Sequence, residues 1–491
     1  MLMKRLLAIL IAVTMVASLS ACKKHSETTS SDEYEIEYDY EYITNPNSSG
    51  DSQTDGNSSG GSQTVGSSKV DGNSSGGSQA GNNSQGKGNG GSSKDDNSLD
   101  SYYSKFRGKT VRYATWQDPE FDEDGPVIKA FEKKYGVNVE IDLVGQGIYV
   151  NTIAGMIAAN NSPDVIFCNN TFPSVLSIMQ PLDAAKMDLK DPIWDKGMMN
   201  LSTINGKTYL LNAVGSIWNE VDCVFYNKRL LKDNNITTPE DYYKAGKWTF
   251  DAMTKVMKDV KALGSDYVGG YLDWEVVLAS VGANYYNWSN GKFTNGANQM
   301  LTEASKYLAT CLKDGLISGL ADYQYRDEFI AGKVGIAVTN AYGLKKSGYW
   351  SDMKADDIGF TYLPDWDSKT KAKYSALFRG WGLCKGSKEP EAAGAFIRYY
   401  LDVNNYDVSS AFINSAAESF FFKLTSGVGA EQKSYCMSQG CAPITGTSFA
   451  RLGAIAKNDP TQVATAISSL QNTINADVKV LNSFVQQYTS K

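Results

Sequence analysis

Among the carboxylates that stand within two residues of a tryptophan, four could do chemistry together: Asp118 after Trp116, Glu220 after Trp218, and Asp273 and Glu275 on either side of Trp274. Two carboxylates held about 5–5.5 Å or about 6.5–9.5 Å apart could cleave a glycosidic bond, one as acid and the other as nucleophile or base. The same residues could also work without breaking any bond. An indole face covers apolar C–H surface. A neighbouring carboxylate takes hydrogen bonds from hydroxyls, and charge-assisted bonds contribute about 1.5–3 kcal/mol each. With nine tryptophans and 29 tyrosines in the chain, flat platforms are plentiful, although most aromatic residues in any fold are core. Trp248, Trp350 and Trp366 read as packing residues on these grounds.

What the chain lacks narrows the chemistry further. Its single histidine, His25, lies in a Ser/Gly/Asn-rich N-terminal region. The folded part therefore has none for a Ser-His-Asp or Cys-His arrangement, nor for a histidine-bearing zinc site. No Cys-x-x-Cys spacing occurs, and neither metal nor cofactor is expected. A net charge of −7 without a basic stripe argues against nucleic acid as a partner. Cys168, Cys223, Cys311 and Cys384 sit in apolar settings and read as small core residues. Cys436 and Cys441 are close enough in sequence to form a local disulfide in an oxidising compartment.

The residues that could do this work must be positioned by something, and the segment order suggests what. "TVRYATW" (110–116) reads as a strand. In "GPVIKAFEKKYG", Val127, Ile128, Phe131 and Tyr135 share one helical face. "VNVEIDLV" (137–144) alternates as a strand, a helix follows over 149–160, and "PDVIFCN" (163–169) is a short continuous apolar strand suited to a covered parallel sheet. This β-α-β-α-β order indicates an open α/β sheet. Ligands of such sheets bind beyond the carboxyl ends of the strands, here Trp116, Gln117 and Asp118, and Asn169 and Asn170. A second α/β unit opens near 222–235. It includes a helix start at "TTPEDY", an amphipathic helix over 247–264, strands at 332–343 and 358–364, and a helix over 389–402. About 385 residues beyond the N-terminal region are too many for one core and suggest two lobes.

The N-terminus has another purpose. Lys4 and Arg5 precede an apolar run that ends at Leu19-Ser20-Ala21-Cys22. The run is too short for a comfortable membrane span and reads as a secretory signal. Its end resembles the lipobox of bacterial lipoproteins, in which the cysteine is acylated and becomes the first residue. The expectation is a signal peptide over 1–21 and an acylated Cys22. A Ser/Gly/Asn-rich tether then runs over 22–104, with "DGNSSGGSQ" at 55–63 and again at 71–79. Such composition cannot bury enough apolar surface to fold; about 80 residues would span roughly 50 Å when relaxed. "DEYEIEYDYEY" (32–42) alternates acid with Tyr or Ile. It reads as a solvated acidic spacer, or as a segment that docks to a basic surface.

Taken in order, "SPDVIF", "INGKTYLL", "VFYNKRLLKDNNI", "KWTFDAM", "FIAGKVGIAVTNAYG" and "KGSKEPEAAGAFIRYYL" resemble the extracellular solute-binding proteins of carbohydrate ABC transporters, the group related to maltose-binding proteins. The resemblance covers essentially 107–491. It implies a two-lobed, type II periplasmic-binding-protein fold, each lobe a mainly parallel sheet flanked by helices, with the ligand cleft between. Crossovers are expected near 214–220 and 378–384. Within a binding domain over 105–491, the first lobe would take 105–214 and 383–428, and the second 220–378 and 435–491.

The resemblance also implies a ligand set: Trp116, Gln117 and Asp118; Asn169 and Asn170; Trp218 and Glu220; Tyr271 and Trp274; Asn340 and Tyr342; Arg379 and Trp381. The maltose-type pattern has a tryptophan near Tyr342 where this chain has Gly343. The implied function is capture of a carbohydrate, an oligosaccharide, and its delivery to permease subunits without catalysis. The protein would be a monomer at the outer face of the cytoplasmic membrane, held there by lipid alone. Competing readings are a binder of a peptide or other non-sugar solute, a sugar sensor feeding a kinase, and, remotely, a surface glycoside hydrolase; no eightfold βα repeat supports the last.

Overall fold

The computed structural model describes residues 95–116, 125–145, 148–169, 173–214, 216, 220–317, 322–374, 376–377, 379–403, 411–425, 437, 441–445 and 459–490. Cys22, the tether to residue 94 and the acidic stretch 32–42 lie outside them. Among the described residues no helix is long and apolar enough to cross a membrane, and no cluster of His, Cys, Asp or Glu could hold a metal ion.

In chain order, the first lobe carries β1 (Thr110–Thr115), β2 (Asn138–Leu143), β3 (Val165–Asn169), β4 (Met179–Gln180) and the small hairpin β5 (Thr203–Ile204) and β6 (Lys207–Thr208). The second carries β7 (Glu220–Asn227), β8 (Val268–Leu272), the hairpin β9 (Tyr286–Ser289) and β10 (Lys292–Asn295), β11 (Val334–Asn340), β12 (Ile358–Thr361) and β13 (Ala376–Leu377). The chain then returns to the first lobe with β14 (Arg379–Cys384). The first sheet has the order β2-β1-β3-β14-β4 and the second β12-β7-β11-β8, with β13 beside β7.

β1 pairs in parallel with β2 and β3, as the β-α-β-α-β reading requires. Helix Gly125–Tyr135 buries Val127, Ile128, Phe131 and Tyr135 on the expected face. In the second lobe, Thr238 closes a capping box with Asp241 ahead of helix Pro239–Lys244, satisfying two backbone donors at once. Thr249 caps helix Phe250–Lys261, whose buried face includes Met253, Val256, Met257 and Val260.

The sheets are not simply parallel. β14 runs against β3 and β4, and β7 runs against β11, β12 and β13. These are the two strands that the chain enters directly from the other lobe. A strand entering there starts at the edge where its neighbours end, so it must run the opposite way. Three of the four pairings in the second sheet involving β7 or β11 are antiparallel for this reason; only β8 and β11 are parallel.

Three expected boundaries shift. The tether does not extend to 104: Asp95–Ser104 is a helix, and its Tyr103 is buried among Phe131, Tyr135 and Tyr399. Tyr135 Oη donates to Asp100 at 2.6 Å. Helix Ser415–Thr425, expected in the first lobe, buries Phe421 with Phe225 and Phe412 of the second. The C-terminal helix Val463–Thr489 is not confined to the second lobe. Asp477 accepts from Tyr286 Oη at 2.6 Å, and Asn482 exchanges two hydrogen bonds with the backbone of Phe293. At its far end, however, Thr489 accepts from Asn205 at 2.7 Å and the Tyr488 ring lies 4.2 Å from Lys385 Nζ.

Candidate cleft site

The lobes are joined where the chain passes from Val214 to Glu220 and from Leu377 to Arg379. Leu377 pairs with Glu220 in the second sheet, and Arg379 pairs with Asn169 in the first. The carboxyl end of β3 and the start of β7 are thus tied together within a few residues. Around this junction the first sheet brings Trp116 and the backbone of Asn169. The second presents Asp222, in register with Asn340, and the turn from β8 into helix Trp274–Ser280.

Trp116 ends β1, half-buried. Its ring lies 4.7 Å from Phe167 at 37° and meets Tyr149 edge-on at 5.1 Å and 90°. Tyr149 is itself fixed: its hydroxyl donates to Ala114 O at 2.7 Å and accepts from Phe167 N at 3.2 Å. Burial pushes the Tyr149 hydroxyl well above the ordinary tyrosine pKa, so it remains a neutral donor bridging β1 and β3. The Trp116 ring is thereby held from two sides and remains half-buried.

On the facing lobe, Trp274 is the first residue of its helix. Asp273 caps that helix by accepting from Glu275 N at 3.0 Å and Val276 N at 3.3 Å, and its own N–H donates to Val338 O at 3.0 Å. The turn is thereby pinned to β11. Trp274 is half-buried, and among the described residues no other ring lies against it. Tyr271 belongs to strand β8, not to the helix, and one face of its ring is stacked on Tyr325 at 3.6 Å and 8°. Asn340 uses its amide on its own turn, accepting from Tyr342 N at 3.0 Å and donating to Tyr349 Oη at 2.7 Å. Tyr342 donates its hydroxyl to Ser347 O at 2.6 Å and packs edge-on against Tyr349.

Trp381 is not a ligand contact. Only 2% of it is exposed, its ring lies on Phe167 at 4.6 Å and 34°, and its Nε1–H donates to Tyr113 Oη at 2.9 Å. The alternation of β14 sends this side chain to the inner, helix-covered face. Asn169, Glu220 and Arg379 are placed by their backbones at the lobe junction. Gln117, Asp118, Asn170 and Trp218 lie outside the described residues, as does Cys436. Cys441 is a free, buried thiol that donates to Met437 O at 2.9 Å.

Sequence reading passed over Phe167, Tyr149 and Asp222. Phe167 sits within "PDVIFCN", where Val165 to Cys168 are all apolar and no alternation marks the side on which its ring lies. Asp222 is buried in β7, and an acid leading an apolar strand is the only signal it gave.

Residues 127–407 match the model of a family described as bacterial extracellular solute-binding protein. Among solved structures, the chain is similar to the extracellular solute-binding protein from Staphylococcus aureus in complex with maltose. That likeness has a TM-score of 0.56 at 17% identity and covers 76% of this chain and 99% of that one. It is similar to an ABC transporter solute-binding protein from Thermotoga lettingae bound with α-D-tagatose, with a TM-score of 0.57 at 14% identity over 76% and 100% of the two chains. It is also similar to the maltose-binding periplasmic protein from Listeria monocytogenes in complex with maltose, with a TM-score of 0.51 at 20% identity over 78% and 99%. At such identities the likeness establishes the fold alone. No curated protein sequence matches the chain.

Proposed function

The chain belongs to the bacterial extracellular solute-binding protein family, and on that premise we propose that it captures a carbohydrate between its lobes and delivers it to ABC transporter permease subunits without chemical change. The observation that carries this reading is Trp116: a half-buried indole at the carboxyl end of β1, clamped by Phe167 and Tyr149. A sugar's apolar C–H face suits such a platform. Trp274, carried by a capped helix on the other lobe, supplies a second. Charged and amide side chains at the strand ends, Asp118, Asn169, Asn170, Glu220 and Arg379 among them, are proposed to take the hydroxyls. A ligand that touches both lobes favours the closed form, because only there are both sets of contacts made.

The proposed setting follows from the N-terminus. Leu19–Cys22 would be processed so that an acylated Cys22 holds a monomer to the outer face of the cytoplasmic membrane, with the tether giving it reach. The reading is tested by a thermal-shift screen of the mature chain against a panel of oligosaccharides. A bound sugar raises stability by RT ln(1 + [L]/Kd), so at least one member should raise the midpoint in a concentration-dependent way. A flat response across the panel, with peptides or amino acids active instead, would replace the carbohydrate with another solute.

A further inference from the structure

Three rings, one from each of three adjacent strands, form a descending stack. Trp116 at the end of β1 lies on Phe167 of β3 at 37°, and Phe167 lies on Trp381 of β14 at 34°; the centroid separations are 4.7 and 4.6 Å. The upper ring is half-buried, and the lower two are 2% exposed. The bottom of the stack is fixed on three sides. Trp381 Nε1 donates to Tyr113 Oη at 2.9 Å, Tyr400 meets its ring edge-on at 5.6 Å, and its backbone is in register with Phe167.

Its backbone also exchanges both hydrogen bonds with Leu211, at 2.9 and 3.0 Å. Leu211 lies three residues before Val214, where the chain leaves for the second lobe, and Trp381 lies two residues after Arg379, where it returns. Trp381 is therefore the place in the first lobe where both connecting segments are hydrogen-bonded together. Its side chain supports the ring that supports Trp116. Close-packed interiors transmit displacement with little compression, so a shift at the Leu211–Trp381 pair would reach the platform through the two rings between them.

We propose that Phe167 and Trp381 are positioning residues that hold Trp116 in its cleft-facing pose and tie that pose to the two segments joining the lobes. The inference rests on the carbohydrate-binding reading for its consequence, ligand affinity, but not for the ring geometry itself. Neither residue would touch ligand; both would act through Trp116.

The test uses the mature chain labelled with 5-fluorotryptophan. The Trp116 fluorine resonance is assigned by its loss in Trp116→Phe. Phe167→Met keeps volume but removes the middle ring, and Trp381→Leu removes the lower one; in both, the Trp116 resonance should move. In Trp381→Phe, which keeps a ring, it should stay near its original position. Affinity is read calorimetrically with the panel oligosaccharide that wild type binds most tightly. Phe167→Met should weaken binding roughly threefold to tenfold, the size of a lost aromatic pair. Introduced into Trp116→Ala, it should weaken binding no further. An unmoved Trp116 resonance in Phe167→Met, or an affinity loss that persists in full without Trp116, overturns the proposal. If no panel sugar binds wild type, the carbohydrate reading fails, and the resonances alone decide whether the stack positions Trp116. Should Phe167→Met not fold, Trp381→Leu against Trp381→Phe gives the same decision.

Discussion

Gly343 and Trp350 share one space: a Cβ built on Gly343 would collide with the Trp350 indole nitrogen and come within 2.8 Å of Phe225 Cζ. Trp350 is 1% exposed and lies on Phe329 at 4.3 Å. The tryptophan that the maltose-type pattern places near this position cannot be housed at 343, because a tryptophan from a later turn already fills the volume from within. Gly343→Ala should therefore destabilise the fold by about 1–3 kcal/mol through overpacking, as measured by chemical denaturation. Gly343→Ala in a Trp350→Phe background should recover part of that loss. Full stability of the single variant would mean that the two residues are further apart than described.

The described residues begin with helix Asp95–Ser104, whose Tyr103 packs into the first lobe, so where the chain is cut should matter. A protein starting at residue 95 should melt like the full mature chain. One starting at residue 105 loses Tyr103 from its cluster with Phe131, Tyr135 and Tyr399. It should be at least about 2 kcal/mol less stable, the worth of one large buried side chain. Equal melting of the two would return the helix to the tether.

Lys385 should give stability a pH dependence in the alkaline range. Its Nζ donates to Leu176 O at 2.7 Å and Ser177 O at 3.0 Å and sits over the Tyr488 ring. Burial pulls its pKa down to about 8. Between that value and the ordinary lysine pKa near 10.5 the unfolded chain binds more protons than the folded one, so stability rises with pH. The stability of wild type relative to Lys385→Met should climb from about pH 8 to about pH 10.5 and flatten above it. A difference that stays level across this range would show that Lys385 is not depressed.

Cys22→Ala should release or misprocess the protein, because Leu19–Cys22 has the lipobox-like pattern. Fractionation after lipid labelling checks this; a membrane pool that stays labelled in the variant would remove the proposed anchor.

Much of the scaffold was legible in the sequence for a simple reason. Val127, Ile128, Phe131 and Tyr135 carry a helical period, "VNVEIDLV" carries a strand period, and Thr238 and Asp241 form a local cap that needs no tertiary partner. Strand direction was less legible. Whether β7 and β14 run with or against their neighbours depends on the edge at which the chain enters each sheet, which no local pattern encodes. Site membership was mixed for a related reason. Trp116 and Trp381 look alike in sequence, each an indole among strand residues near a lobe junction. Both stack on Phe167, but Trp116 follows the last residue of its strand and stays half-buried, whereas Trp381 lies within β14 in register with Phe167 and is covered. Helix Asp95–Ser104 was hidden because "DDNSLDSYYS" has little amphipathic contrast; it is held by Tyr103 and Asp100 reaching the body of the lobe.

Whether Trp116 serves as a ligand platform on the first lobe of a sugar-binding cleft is decided by one calorimetric comparison. Wild type and Trp116→Ala are titrated with the panel oligosaccharide that stabilises wild type, and both are melted without ligand. The variant should melt close to wild type but bind about 1–3 kcal/mol more weakly, the range for a lost aromatic anchor. Trp274→Ala should give a similar loss from the facing lobe. Equal affinity of Trp116→Ala and wild type for that sugar would contradict the claim and place the binding surface elsewhere.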